Sequence, residues 1–183
     1  LVEAIAAASD QGGSTVLVRP GTHVLTETVT VQKPVRIRGE KGPSVTALDG
    51  DGKISLLNVL ADGAEVSDIA IANGGGAGEP AVRLEKGVLT NCVVRNGSRG
   101  GISLMYDGLV TGCVVSNNAT SGFGGGVSTC GGTLENSLVC GNAANRGGGV
   151  YIYHGAVMRN CTIVHNRATV SEGGVCFASG WWD

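Results

Sequence analysis

Aromatic side chains are scarce, with two Trp, three Tyr and two Phe making up 4% of 183 residues. Without large rings, the core has to be filled by Val, Ile, Leu, Ala and Cys, which suits closely packed short strands. Charge is scarce too, at 15%, and 13 basic against 15 acidic residues leave a formal net charge of −2. No run of Lys or Arg can track a phosphate backbone, so nucleic acid is not an expected partner. No apolar run approaches the length of a membrane span, so no membrane insertion is expected. A charged leader with an apolar stretch and cleavage site is also missing. The chain starts at Leu1 and reads as a mature protein or an excised fragment, which leaves the compartment open. An apolar content of 42% nevertheless excludes a disordered chain.

Glycine is abundant, at 32 residues, and it recurs with a period. Four segments share one pattern: TNCVVRN from Thr90, TGCVVSNN from Thr111, ENSLVCGN from Glu135 and RNCTIVHN from Arg159. Aligning Cys92, Cys113, Ser137 and Cys161 gives steps of 21, 24 and 24 residues. Val94, Val115, Val139 and Ile163 then form a column two places on, and Leu89, Val110, Leu134 and Met158 form one three places back. Asn118, Asn142 and Asn166 align five places after the first column. GGI at 100–102 and GGV at 125–127, 148–150 and 173–175 start a second strand, continued by Leu104, Thr129, Ile152 and Phe177. Each repeat thus reads as two short alternating strands joined by Gly/Asn corners.

A fixed period in the twenties is the mark of a solenoid, whose units bury their apolar faces only by stacking. LENSLVCGN fits a leucine-rich repeat, but such a unit closes with a helix or 3₁₀ segment. RGGGVYIYHG is too rich in glycine for one and alternates like a strand. The hexapeptide β-helix fits worse, because the period is neither 18 nor divisible into six-residue apolar spacings. At the N-terminus, Val2, Ile5 and Ala8 lie at helical spacing within residues 1–9 and predict a helix capping the open end. Residues 14–73 read as irregular N-terminal coils and 74–180 as the regular repeats, all in one domain. Roughly eight coils spaced about 4.8 Å apart make a rod about 35–40 Å long. GWWD ends without a capping element, so a truncated C-terminal end with Trp181 and Trp182 exposed is expected.

The run from AIAAAS through VLVRPGTH to KPVRIRGE, followed by coils reading NCTIVHN and GGGV, resembles right-handed parallel β-helix proteins of the pectin-lyase-like superfamily. Within it the coils most resemble bacterial secreted and surface proteins. The resemblance implies an all-β, right-handed, single-stranded parallel β-helix with a short N-terminal capping α-helix. It implies a secreted or cell-surface location. It does not choose an activity, since the superfamily holds lyases, hydrolases, adhesins and stalks.

Stacking gives each column a physical meaning. The cysteines act as small buried hydrophobes, and a straight thiol ladder cannot converge on a metal, so no metal site and no obligatory disulfide are expected, with Cys140 and Cys176 pointing outward. The asparagines form a corner ladder of amide hydrogen bonds, and the double glycines allow positive φ or close approach. The triplets starting at Asn96, Asn118 and Asn160 match the glycosylation pattern by chance. DGDG at 49–52 reads as a turn.

Function is expected among outward side chains. On the second strand, Arg83 and Glu85 share outward columns with Tyr151 and Tyr153, with His154 at the corner beyond, a candidate carbohydrate-binding set. On the first strand, Val93, Val114 and Leu138 form an outward aliphatic ridge, a candidate surface for a partner or for self-association, which the open C-terminal end also offers. Catalytic residues are not identifiable. The carboxylates Asp107, Glu135, Glu172 and Asp183 fall on separate corners and strands, and Glu135 stacks opposite Arg159 as a surface ion pair. Hydrolase members of the resembling family carry an adjacent Asp-Asp and a Gly-His-Gly, and here only His154-Gly155 remains. Lyase members use clustered carboxylates for calcium, for which Arg83, Glu85, Lys86 and Asp107 are the nearest substitute; calcium is expected only in a lyase, and otherwise no cofactor. The favoured reading is a non-catalytic extracellular module presenting a surface to a polysaccharide or surface protein. The alternatives are a polysaccharide lyase or glycoside hydrolase with catalytic coils incomplete here, and an adhesin or stalk segment.

Overall fold

The computed structural model describes residues 1–76 and 78–178; Trp181, Trp182 and Asp183 lie outside the described residues. The chain winds into a parallel β-solenoid with seven strands on its separate sheet and therefore seven rungs. Each turn carries three strands rather than two. The first face starts with Thr15–Val18 and ends with Val157–Arg159, the second runs from Gly21–Val24 to Thr162–Val164, and the third from Val29–Val31 to Val175–Phe177. Two long strands, Ile102–Thr111 and Val127–Glu135, pass from the third face to the first without a break and join these faces into one 12-stranded sheet. The third strand is hidden in the sequence because a single left-handed residue, Asn91, Gly112, Asn136 or Asn160, turns the corner between the first and second faces, so that the Leu89 and Val94 columns read as one strand. The seven rungs among the described residues, against the eight expected, span about 29 Å.

Alternation drives the winding. Val94, Val115 and Val139 are fully buried and pair in register with one another and with Ile163. Leu89, Val110 and Leu134 fill the first face from inside. Cys92, Cys113 and Ser137 are all buried, as a column of small residues requires in a narrow interior. The segment 14–73 shows no sequence period, yet its strands continue the same ladders: Ile37 pairs with Val16 and Val66, and Leu48 with Ile71. Phe177, expected inside, is 71% exposed on the last described rung.

The N-terminal helix spans Val2–Ala6, shorter than residues 1–9, and only Ile5 is fully buried. Lys33 fixes its C-terminal end by donating to the carbonyls of Ala6 and Ala8 at 2.9 and 3.1 Å, where a cation also suits the helix dipole.

The corners explain the asparagines. After the first face, Asn91, Asn136 and Asn160 adopt φ near 50–53°, the left-handed region that Asn tolerates better than most residues. The next corner puts Asn73, Asn96, Asn117 and His165 there as well. The residue after that second corner forms the buried ladder. Asn118 donates through its backbone N–H and Nδ2 to Asn142 Oδ1 at 2.9 and 3.0 Å, and Asn142 repeats both bonds to Asn166 Oδ1. Each Nδ2 also reaches a carbonyl of the preceding turn: Val94, Val115 or Val139. Gly126 must lack a side chain here, since a Cβ would lie 2.9 Å from Asn142 Nδ2 and 2.7 Å from the Gly149 carbonyl. This double glycine therefore serves close approach.

Candidate functional site

Outward residues of the third face stack as Asn58, Arg83, Ser103, Ser128, Tyr151 and Cys176 on successive rungs. Beside them Met105 pairs with Cys130 in the next outward column, which continues to Tyr153. Arg83 and Glu85 pair with each other at 2.6 Å. They stand three rungs from Tyr151, about 14 Å along the rod. The five predicted residues thus share one face but form two groups, separated by a low floor of Ser103 and Ser128. The Arg83 Nε–H is buried with no hydrogen-bond partner among the described residues.

The aromatic group is larger than the sequence suggested. Tyr151 and Tyr153 lie 6.5 Å apart with planes at 22°, and His154 packs edge-on against Tyr153 at 4.6 Å. Phe123, from the glycine-rich corner one turn earlier, stacks on Tyr151 at 4.6 Å and is 52% exposed. Four rings therefore form a row across the face. Sequence reasoning passed over Phe123 because it sits in GFGGG outside any strand pattern, although a lone ring among glycines in so aromatic-poor a chain is a signal. Burial raises the Tyr151 phenol above its usual range, so it remains a hydrogen-bond donor at neutral pH.

Cys176 corrects an expectation. It occupies the outward column after Tyr151, yet it is 7% exposed, with Ser171 Oγ at 3.8 Å from its sulfur. Burial is also the first cause of its raised pKa. All six cysteines are free, with Cys130 exposed and Cys140 half-buried.

On the second face, Val93, Val114 and Leu138 pair in register as one outward ladder, preceded by Ala47 and Ala70. All three are half-buried rather than fully exposed.

The carboxylates are mostly engaged. Arg159 holds Glu135 at 2.7 Å, Thr111 donates to its other oxygen at 3.2 Å, and the guanidinium's hydrogen bond lowers the Glu135 pKa. Asp62 pairs with Lys86. Asp49 and Asp51 build the DGDG turn, in which Asp49 accepts from the Asp51 N–H at 2.8 Å and from Asn73 Nδ2 at 2.8 Å. Among the described residues no cluster of three or more His, Cys, Asp or Glu is placed to hold a metal ion. Two concavities lie away from the aromatic row. One of about 450 Å³ opens between the N-terminal helix and the first rung, and another opens on the first face.

Among solved structures, the rice weevil pectin methyl esterase aligns at a TM-score of 0.52 and 12% identity, covering 87% of this chain and 62% of that one. A mannuronic acid specific polysaccharide family 6 lyase from human gut microbiota aligns at 0.51 and 12%, covering 82% and 53%. At such identities the likeness is one of fold, and this chain spans little more than half the length of either enzyme. No curated protein sequence matches. The sequence does match the family described as right handed beta helix region over residues 37–181, from the second rung onward. The chain belongs to that family and is a right-handed parallel β-helix.

Proposed function

We propose that the protein is a non-catalytic, secreted or cell-surface module whose third face binds carbohydrate. The observation that carries this reading is the row Phe123, Tyr151, Tyr153 and His154, four rings assembled from two turns of a chain that has few. Such rings offer apolar surface to a sugar's C–H face and hydroxyls to its polar edge. The serine floor leaves room along the rod for an extended chain leading to Arg83 and Glu85. The names of the two fold neighbours, a pectin methyl esterase and a polysaccharide lyase, fit a carbohydrate partner.

Magnitude weighs against a stalk that associates through the aliphatic ridge alone. Even counting all five rungs from Ala47 to Leu138, of which Ala70 is buried, the ridge spans about 19 Å, and the three-residue strands add about 10 Å of width. That is roughly 200 Å², against about 800 Å² per partner in a stable association. The ridge of Val93, Val114 and Leu138 then contributes to a partner surface without sufficing for one.

The deciding experiment pairs a glycan array with release assays on acidic polysaccharides, comparing wild type with Tyr151→Ala/Tyr153→Ala. Retention without turnover, lost in the double variant, is the expected result. Unsaturated product or new reducing ends would instead establish an enzyme, and retention unchanged in the variant would remove the aromatic row from the site.

A further inference from the structure

The chain has two methionines and six cysteines. Met158 packs against the core, and five of the cysteines are buried or half-buried. The two remaining sulfurs, the thioether of Met105 and the exposed thiol of Cys130, stand in register on adjacent rungs of the third face. Alternation sends both outward, since Leu104 and Thr129 beside them are buried. Cys130 is a free thiol. Below Met105 the column continues to Glu85, whose carboxylate is already held by Arg83 at 2.6 Å, and above Cys130 it continues to Tyr153.

The rung spacing matches one kind of coordination. Two sulfur–metal bonds of about 2.3 Å placed end to end span about 4.6 Å, against about 4.8 Å between rungs. An ion held linearly between these sulfurs needs no shift of the backbone, and the rotatable bonds of the methionine absorb the small mismatch. Zinc requires four converging ligands and calcium at least six oxygens, and the column supplies neither. A thiolate with a thioether is instead the donor set that selects a soft ion such as copper(I). The buried thiols cannot serve in the same way, because burial pushes Cys113 up to about 11 and raises Cys92 further, which keeps both protonated.

From this geometry we infer that Met105 and Cys130 form a two-coordinate site for a soft monovalent cation, with copper(I) as its ion. Cys130 gives its proton to water as the ion binds, an S–metal bond replaces the S–H bond, and no electron moves. The thiolate cancels the charge of the ion. Neither sulfur belongs to the aromatic row, so the site stands or falls apart from the carbohydrate reading.

The test titrates the reduced protein anaerobically with copper(I) held by the chromogenic chelator bicinchoninate. One equivalent is expected to pass to the protein, and X-ray absorption of the loaded protein should show two sulfur neighbours at about 2.3 Å. Cys130→Ser should abolish the transfer, and Met105→Leu should weaken it roughly tenfold. Cys140→Ser/Cys161→Ser, which removes the half-buried thiols, should leave it unchanged, and equimolar zinc(II) should not displace the ion. The Cys130 and Met105 substitutions keep side-chain volume on an outward column, and a urea midpoint matching wild type confirms that each variant is folded. Failure of the chelator to give up copper overturns the inference. Binding by Met105→Leu as tight as wild type overturns it too, since a lone thiol would then account for the signal. So does loss of binding in Cys140→Ser/Cys161→Ser, or displacement by zinc.

Discussion

The two halves of the rod stack on the same three faces but hold their corners differently. In the C-terminal half, Asn118, Asn142 and Asn166 run as a continuous amide ladder beneath a column of small residues. In the N-terminal half the equivalent column is Gly74 and Gly97, the interior is filled by Ile37, Leu48, Ile69 and Ile71, and the surface carries ion pairs such as Arg38 with Asp68. Stacking thus requires only that inward positions stay apolar and corners accept a left-handed residue. The ladder is one solution, and the aliphatic fill is another. The halves also fail differently, because a buried amide that loses its partner is penalised more sharply than an aliphatic chain that shifts to relax.

The largest effect is expected from Asn142→Leu, which strikes the middle of the ladder. It takes the acceptor from the Asn118 N–H, one of two acceptors from Asn118 Nδ2 and the amide donor from the Val115 carbonyl, and it removes the Nδ2 donor to Asn166 Oδ1 while the backbone N–H of residue 142 stays there. At about 1–3 kcal/mol for each buried group left unsatisfied, the total is about 3–5 kcal/mol, read as a fall in the urea midpoint at constant slope. A loss below about 1 kcal/mol would show that water replaces the ladder and that the halves do not differ as described.

Gly97→Asn asks why the ladder stops where it does. A Cβ at Gly97 would lie 2.5 Å from the Gly100 carbonyl, so an asparagine cannot enter without moving backbone. The substitution is expected to destabilise by about 1–3 kcal/mol, the usual range for overpacking. A stabilised variant would mean that the N-terminal half can adopt the ladder after all.

The sequence revealed the ladder half far better than the other. TNCVVRN, TGCVVSNN, ENSLVCGN and RNCTIVHN display the repeat because the small inward residue, the aliphatic and the asparagine each recur for a fixed physical reason. Residues 14–73 satisfy the same geometry with interchangeable aliphatics, so Ile37 over Val66 leaves no periodic trace. The third strand per turn stayed hidden because one left-handed residue, Asn91, Gly112, Asn136 or Asn160, makes the whole corner between the first two faces and leaves no loop to mark it. Tyr151, Tyr153 and His154 were legible as a group because they are neighbours in sequence. Phe123 was not, since a loop folds it onto Tyr151 from 28 residues away. Cys176 misled because alternation says which way a side chain points but not what covers it.

The thiol column gives a smaller, pH-dependent effect where the two halves meet. Burial pushes Cys113 from the free-thiol value of 9.0 up to about 11, and Cys92 is raised further by the same cause. Both thiols are neutral in either state below pH 9, so their contribution is fully present there. As pH rises from 9 towards 11 the unfolded thiols ionise while the folded ones do not, and stability falls. Cys92→Ala/Cys113→Ala should flatten this alkaline decline in urea midpoints measured from pH 8 to 11. An unchanged slope would assign the decline to other groups.

The smallest effect belongs to the surface. Glu135 lies opposite Arg159 on adjacent rungs, and its pKa is lowered chiefly by the guanidinium's hydrogen bond. Its contribution is therefore present above the ordinary glutamate range and lost as pH falls through the lowered value. Because the pair faces solvent and salt screens it, Glu135→Gln should leave the neutral-pH midpoint nearly unchanged and remove only a slight acid-side slope. The same substitution at moderate salt should be silent. If it instead approached the effect of Asn142→Leu, the C-terminal turns would depend on surface charge as much as on the amide ladder, and the contrast between the two halves would fail.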